Sequence, residues 1–259
     1  MNHWVISARA LSKVFPQHKG HGHALRESIE PTLRLPFHLW GRTQSESSNQ
    51  KLWALHDVSF VAQPGECIGL IGHNGAGKSV LLRVLARVTR PTRGEADLIG
   101  RVSAVLEVGV GFNRELSGRE NIFLQGAILG MRRREIQNKF DEIVAFSGME
   151  TFLEAPLKTY SNGMLVRTAF AIAAHLEPDI LLMDEVLAVA DADFQRVCVA
   201  KIRALAQAGR TILLVSHDLD LLAQTCPRAL WLERGGLVED GAFAQVAAGY
   251  QSRVAVGGL

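Results

Sequence analysis

The chain has 259 residues, 47% of them hydrophobic, and its 28 Lys and Arg nearly balance its 26 Asp and Glu. This length and apolar content allow a large folded core, and they exclude disorder, collagen and coiled coil as the dominant state. The net charge of +2 does not indicate nucleic-acid binding over the whole surface.

Cysteine usage and apolar runs indicate the compartment. Cys67, Cys198 and Cys226 are odd in number, far apart and outside any CxxC pair, which predicts reduced thiols in a protein core. The N-terminus lacks the pattern of a signal peptide, and apolar residues nowhere run for the 18 positions that a membrane helix needs. We therefore expect a soluble, cytoplasmic protein.

Two short strands are predicted near the start of the chain, over residues 4–15 and 55–63. The residues between them, 16–52, differ in composition and are predicted to form an insertion. Within it, residues 24–42 mix apolar side chains with arginines. Two interpretations stay open, an amphipathic element at a membrane surface and packing on the chain's own domain.

A strand, a glycine-rich loop and a helix follow, in the order that begins a nucleotide-binding α/β unit. Residues 72–79, GHNGAGKS, fit the pattern G-x-x-x-x-G-K-[ST], in which consecutive backbone N–H groups surround a phosphate at a helix N-terminus. Lys78 is predicted to reach the β- and γ-phosphates, and the Ser79 hydroxyl to hold Mg²⁺. The predicted nucleotide contacts here are Gly72, Asn74, Gly75, Ala76, Gly77, Lys78, Ser79 and Val80.

Residues 117–148 are predicted to be helical, from a capping box of Ser117 and Glu120 to a closing Gly148. One apolar face is formed by Ile136, Phe140, Ile143 and Val144. A second helix opens at Tyr160-Ser161-Asn162-Gly163-Met164. Taken alone, Ser161 and Gly163 fit either a second phosphate cradle or a simple N-cap of a buried helix.

The runs DILLMD and TILLVS are apolar without alternation, as in strands that are buried on both faces. The first ends in Asp184, a candidate Mg²⁺ ligand, and Glu185, a candidate to polarise the attacking water. The second leads to His217, which either contacts a phosphate or is an ordinary polar residue. A crossover helix bearing Phe194, Val197, Ile202 and Leu205 is predicted between them, and a hairpin turning at Gly235-Gly236 after them.

The ordered motifs resemble the ATP-binding-cassette (ABC) ATPases over nearly the whole chain. GHNGAGKS is similar to their Walker A loop, YSNGMLVR to the signature segment, ILLMDE to Walker B and VSHD to the switch histidine. The resemblance implies an α/β fold with a mainly parallel RecA-like sheet, an N-terminal antiparallel part and an inserted helical subdomain at 112–165. The nucleotide-binding domain would span 1–245, with a short tail at 246–259.

The same resemblance implies further site residues. Phe15 would stack on adenine, Asp191 would be the D-loop aspartate, and Glu107 would bind Mg²⁺ or water in place of the usual Q-loop glutamine. Ser161, Asn162 and Gly163 would contact ATP, and His217 would be catalytic beside Glu185 and Lys78. Val80, Met164 and Ala190 depart from common family patterns, but the residues that carry the chemistry are present.

Four details resemble the polysaccharide exporters among these ATPases: SGREN after GVGF, the YSNGM signature, LAVADADF after Walker B, and the insertion. They imply a homodimeric subunit on the cytoplasmic side of the inner membrane. It would use ATP and Mg²⁺ to drive a separate permease for a lipid-linked O-antigen, teichoic acid or capsule glycan. The alternative is a soluble ABC ATPase acting on ribosomes or DNA. This interpretation is the weaker one, because the sequence has one P-loop and no coiled coil.

Overall fold

Two β-sheets organise the chain in the computed structural model, which describes residues 4–16, 51–106, 111–185 and 192–257. The smaller sheet is antiparallel, in the order β2 (Lys51–Ala62), β1 (Ile6–Pro16), β4 (Arg93–Leu98). Its first two strands pair from Ile6 opposite Ala62 to Pro16 opposite Lys51. The predicted antiparallel part at the start of the chain is thus present, with β4 as a strand that the sequence did not predict.

The larger sheet has six strands, and five of them are parallel. Its order is β5 (Val102–Val105), β6 (Ile180–Asp184), β7 (Thr211–Val215), β3 (Cys67–Ile71), β8 (Arg228–Glu233), β9 (Gly236–Ala242), with β9 antiparallel to β8. Every residue of β3, β6 and β7 is buried. This explains why their sequences are apolar without alternation and confirms the predicted α/β class.

Helices cover both faces of the larger sheet. They are α1 (Lys78–Leu85), α2 (Gly118–Ile128), α3 (Arg133–Ser147), α4 (Asn162–Ala174), α5 (Ala192–Gln207), α6 (Leu219–Thr225) and α7 (Phe243–Gly257). One apolar core joins α1, the smaller sheet and one face of the larger sheet. A second core joins the opposite face to residues of α2 through α7.

The predicted helical region at 117–148 is two helices. Ser117 and Glu120 form the predicted capping box of α2, and Gly148 ends α3 with a φ of 68°. Between them the chain turns at Gly130, whose φ of 91° favours glycine. The predicted apolar face of α3 is buried.

The predicted crossover helix is α5. Of its four predicted apolar residues only Val197 is exposed, at 47%, because the helical period places Cys198 on the buried face with Phe194 and Ile202. One detail of the predicted hairpin is wrong. The hairpin turns one residue earlier than predicted, since Glu233 pairs with Gly236 and leaves Arg234-Gly235 as the turn. Both turn residues have a positive φ, 49° and 83°, which is the backbone of a two-residue type I′ hairpin.

The end of the described chain is a helix of the domain. The boundary predicted at residue 246 lies inside α7, whose Val246 and Ala247 are buried in the second core. The three cysteines are buried as well, and the Sγ atoms of Cys67 and Cys226 lie 3.2 Å apart.

Candidate functional site

The phosphate loop, residues 72–79, connects β3 to α1 and depends on three glycines with a positive φ. These are Gly72 at 147°, Gly75 at 79° and Gly77 at 107°. A Cβ at Gly72 would lie 2.2 Å from the Leu232 carbonyl oxygen, and one at Gly77 would lie 2.5 Å from that of Ala54. A Cβ at Gly75 would meet no heavy atom within 4 Å. The loop is therefore packed closely against β8 and β2 on one side and is open at Gly75.

Lys78 is held inside the loop by the loop's own carbonyl groups. Its side chain is buried, and Nζ donates hydrogen bonds to the carbonyl oxygens of Gly72 at 2.6 Å and His73 at 3.0 Å. Burial lowers the pKa of Lys78, and the charges of Glu185 and Asp184 oppose that shift. An ammonium group has three N–H donors, so one remains for a phosphate oxygen.

Asp184 ends β6 beside Ser79. Burial raises the pKa of Asp184, whereas a hydrogen bond with the Ser79 hydroxyl lowers it. The carboxylate oxygen Oδ1 is buried without a hydrogen-bond partner. An unpartnered carboxylate oxygen close to a hydroxyl is a donor set that suits Mg²⁺, which prefers oxygen ligands and keeps several waters or phosphate oxygens. These residues therefore fit the expected ion.

Glu185 and His217 contact each other at the ends of adjacent strands. His217 Nε2 lies 2.7 Å from Glu185 Oε1, and both side chains are about half exposed. Glu185 has a φ of 53°, and its backbone N–H donates to the Val215 carbonyl oxygen on β7. A positive φ is uncommon for a residue other than glycine, so the backbone departs from the strand conformation at Glu185.

A cleft of about 310 Å³ opens beside these groups. It is lined by Phe15, Leu52, Trp53, Ala54, Asn74, Gly75, Gly77, Lys78, Ser79, Val80 and Glu185. The ring of Phe15, predicted to stack on a base, is 39% exposed, and Lys13 Nζ lies 5.1 Å from its centroid. Sequence reasoning missed Leu52, Trp53 and Ala54. The signal that could have found the first two is strand pairing, which places Leu52 opposite Phe15 and Trp53 opposite Val14.

The residues of the predicted signature segment, Ser161, Asn162 and Gly163, lie outside the cleft. Ser161 is the N-cap of α4, and its Oγ accepts a hydrogen bond from the Met164 N–H at 3.2 Å. Ser161 and Asn162 are exposed, and neither they nor Gly163 line the cleft. The structure thus brings Lys78, Ser79, Asp184, Glu185 and His217 to one edge of the sheet and leaves the signature residues outside that cleft.

The SGREN segment, residues 117–121, holds the chain that leads into α4. Tyr160 Oη donates to the Phe152 carbonyl oxygen at 2.8 Å. Tyr160 Oη also lies directly beside Gly118, because a Cβ at Gly118 would be 2.2 Å from this hydroxyl oxygen. Asn121 is fully buried and donates to the carbonyl oxygens of Asn113, Leu116 and Ser117. The start of α2 therefore fixes the residue that precedes Ser161.

Some predicted residues lie outside the described part of the chain. These are Glu107, Asp191, Ala190 and, within the insertion at 16–52, residues 17–50. In the described part, His, Cys, Asp and Glu form no group of three that could hold a metal ion. No helix among the described residues is long and apolar enough to cross a membrane.

A glycine-rich phosphate loop and an acidic strand end at one edge of a parallel sheet define a P-loop nucleotide hydrolase. The sequence pattern of the family described as "ABC transporter" matches residues 55–188, just over half of the chain. The chain belongs to this family, binds ATP and is an ATPase.

Named relatives come from polysaccharide export. The chain is 40% identical over 253 residues to the "O-antigen export system ATP-binding protein RfbB" of Klebsiella pneumoniae, covering 98% of this chain and 100% of that protein. It is 42% identical over 185 residues to the "Teichoic acids export ATP-binding protein TagH" of Enterococcus faecalis, covering 71% of this chain and 41% of that protein. These names confirm the predicted resemblance to the polysaccharide-exporter branch.

The fold is also found in solved structures. A dimeric ATP-binding cassette in a post-hydrolysis state with ADP and Pi superposes with a TM-score of 0.70 at 18% identity, covering 92% of this chain and 98% of that one. At this identity the likeness concerns the fold alone, and it confirms the predicted ABC-type architecture.

We expect Gly118→Ala to lower the free energy of unfolding by about 1–3 kcal/mol, because the new Cβ would overlap Tyr160 Oη. Denaturant unfolding measures this loss. Adding Tyr160→Phe should recover part of it, since the nearest remaining atoms lie 3.1 Å and 3.2 Å away. Gly236→Ala is the control, because its Cβ would have no neighbour closer than 3.7 Å. Equal stability of the Gly118 variant and this control would contradict the packing argument.

Proposed function

We propose that this chain is the ATP-hydrolysing subunit of an exporter that moves a lipid-linked polysaccharide, of O-antigen, teichoic acid or capsule type, through a separate membrane permease. The contact of His217 with Glu185, a residue that lines the same cleft as Lys78, carries the hydrolytic part of the proposal. The similarity to RfbB over the full length of both chains supports the export part.

The predicted site residues have the following proposed roles. Lys78 and the backbone N–H groups of the phosphate loop bind the phosphates of ATP. The Glu185 carboxylate accepts a hydrogen bond from the attacking water and orients it. His217 holds the Glu185 carboxylate in position through their 2.7 Å contact. Phe15 contacts the base. Glu107 and Asp191 keep the roles that the family resemblance implies.

The cofactor of this site is proposed to be Mg²⁺. Asp184 and Ser79 would hold it, because the buried Oδ1 of Asp184 has no other partner and the Ser79 hydroxyl is adjacent. When bound, the ion would neutralise charge on the phosphate oxygens.

The exposed signature residues support a homodimer. Ser161 and Gly163 open α4 outside the cleft, so a single chain leaves the cleft without them. In a two-fold dimer, the start of α4 of one copy would face the phosphates that Lys78 of the other copy binds. Two shared ATP sites would result. The solved cassette with this fold is likewise described as dimeric.

We place the dimer at the cytoplasmic side of the inner membrane, bound to its permease. The relatives' names, an O-antigen export system and a teichoic acid exporter, support this setting. We also propose one nucleotide-binding domain with an inserted helical subdomain at 112–165, which includes α2 and α3.

We expect Glu185→Gln to keep ATP binding and to reduce turnover by about 10²–10⁴-fold, because an amide cannot accept the water's proton. Lys78→Ala should instead weaken ATP binding itself. Nucleotide-binding titrations and steady-state hydrolysis of the purified protein separate the two effects. Glu150→Gln, an exposed glutamate on the surface, is the matched control. Near-normal hydrolysis by Glu185→Gln protein would exclude the proposed role.

Mixing variants tests the shared sites. Lys78→Ala and Ser161→Arg proteins should each be inactive, because every homodimer site lacks one partner. A heterodimer of the two has one site with both partners intact, so an equimolar mixture should regain about a quarter of the wild-type sites. Hydrolysis by either variant alone, or a mixture as inactive as its parts, would contradict the shared-site arrangement.

Complementation in cells tests export. In a strain that lacks the gene, the wild type and Glu150→Gln should restore surface polysaccharide. Glu185→Gln should not, and lipid-linked glycan should accumulate on the cytoplasmic side. Immunoblots of surface glycan and analysis of extracted lipid-linked intermediates measure the two pools. Normal surface glycan with the Glu185→Gln variant would rule out ATP-driven export by this chain.

A further inference from the structure

We infer that Tyr250 of the C-terminal helix α7 is a positioning residue for ATP binding, which acts on Lys78 through His73 of the phosphate loop. The inference rests on the proposed nucleotide site. It gives α7 a role in the reaction although this helix contributes no residue to the cleft.

Helix α7 is seated on the domain by one face. Phe243, Val246 and Ala247 of its first turns are buried in the second core, and Phe243 N–H donates to the Pro227 carbonyl oxygen at 2.9 Å. Tyr250 lies seven residues after Phe243, on the same face, and packs against that core at its edge. Its ring is therefore held by the core and does not depend on the phosphate loop for its position.

The Tyr250 ring lies between β8 and the phosphate loop. Its centroid is 5.8 Å from that of Trp231, with planes at 75°, and 5.4 Å from that of His73, with planes at 57°. Both distances are in the range of favourable aromatic contacts. Trp231 pairs with Ile71, the last residue of β3 before the loop, so the three rings join α7, β8 and the beginning of the loop.

His73 links this cluster to Lys78 through its backbone. Its imidazole contacts Tyr250, while its carbonyl oxygen accepts hydrogen bonds from Lys78 Nζ at 3.0 Å and from Ala76 N–H at 3.1 Å. A shift of His73 therefore moves an acceptor that holds the buried ammonium group.

The loop needs this support at His73 more than at its neighbour. Gly72 is enclosed, because a Cβ there would lie 2.2 Å from the Leu232 carbonyl oxygen. His73, in contrast, is exposed to solvent and is followed by the open position at Gly75. A contact from outside the loop can restrict His73 where burial does not.

Variants of Tyr250 in the full chain test the inference, with Gln251→Ala, the exposed neighbour on α7, as control. Tyr250→Ala should raise KM for ATP and Kd for ATP about three- to tenfold, the size expected for loss of one aromatic contact, with kcat changed less than twofold. Tyr250→Phe, which keeps the ring, should match the wild type. Without nucleotide, hydrogen exchange of the 72–77 backbone should be faster in Tyr250→Ala.

A double-mutant cycle separates positioning from general packing. If Tyr250 acts through His73, the effect of Tyr250→Ala on Kd should largely disappear in a His73→Ala background. Full additivity, or an unchanged Kd in Tyr250→Ala, would overturn the inference. Tyr250→Leu, which keeps apolar packing on Trp231 without a ring, is judged by the same criteria if Tyr250→Ala does not fold.

A Lys78→Ala arm distinguishes this inference from the proposed site. If Lys78→Ala binds ATP as the wild type does, the nucleotide site is wrong and the role of Tyr250 falls with it. If Lys78→Ala loses ATP while Tyr250→Ala does not, the site stands and only the inference about Tyr250 is overturned.

Discussion

The chemistry of this protein depends on a parallel sheet that is buried on both faces. Strands β6, β7 and β3 are neighbours, and every residue of each is buried. Because parallel strands end at the same edge, polar residues that follow them must meet there. Asp184 ends β6 and Glu185 follows it, His217 comes after β7, and the phosphate loop comes after β3. The hydrophobic core thereby brings together residues more than a hundred positions apart.

At that edge of the sheet, specific hydrogen-bond partners offset the cost of burying charged side chains. Desolvation lowers the pKa of Lys78 and raises the pKa of Asp184, so it disfavours the charged form of each. Two carbonyl oxygens support the ammonium group, and the Ser79 hydroxyl supports the carboxylate. A phosphate that enters beside Lys78 would add to the opposite charge that Glu185 and Asp184 already provide near this partly dehydrated group.

The sequence predicts the parts of this structure whose local signal and tertiary role agree. The phosphate loop, the strand before Asp184 and the capping box at Ser117 all combine a strict pattern with a single physical reason. Strand β4 carries two acids, an arginine and Gly94, and only glycine permits its close approach to its partner β1, because a Cβ at Gly94 would lie 2.2 Å from the Ala10 carbonyl oxygen. That reason is visible only once the strands are paired. Trp53 in the cleft and Tyr250 beside His73 depend on tertiary contacts in the same way.

The turn between β8 and β9 connects the phosphate loop to strand β2. Gly235 N–H donates to the Ala76 carbonyl oxygen of the phosphate loop, and the Gly235 carbonyl oxygen accepts from His56 N–H of β2. Strand β2 is thus connected to the phosphate loop through Gly235. Its first residue, Lys51, pairs with Pro16 at the end of β1. None of these hydrogen bonds and strand pairs involves the chain that joins the two strand ends. Evolution can therefore enlarge or replace that segment while the anchored strand keeps the phosphate loop unchanged.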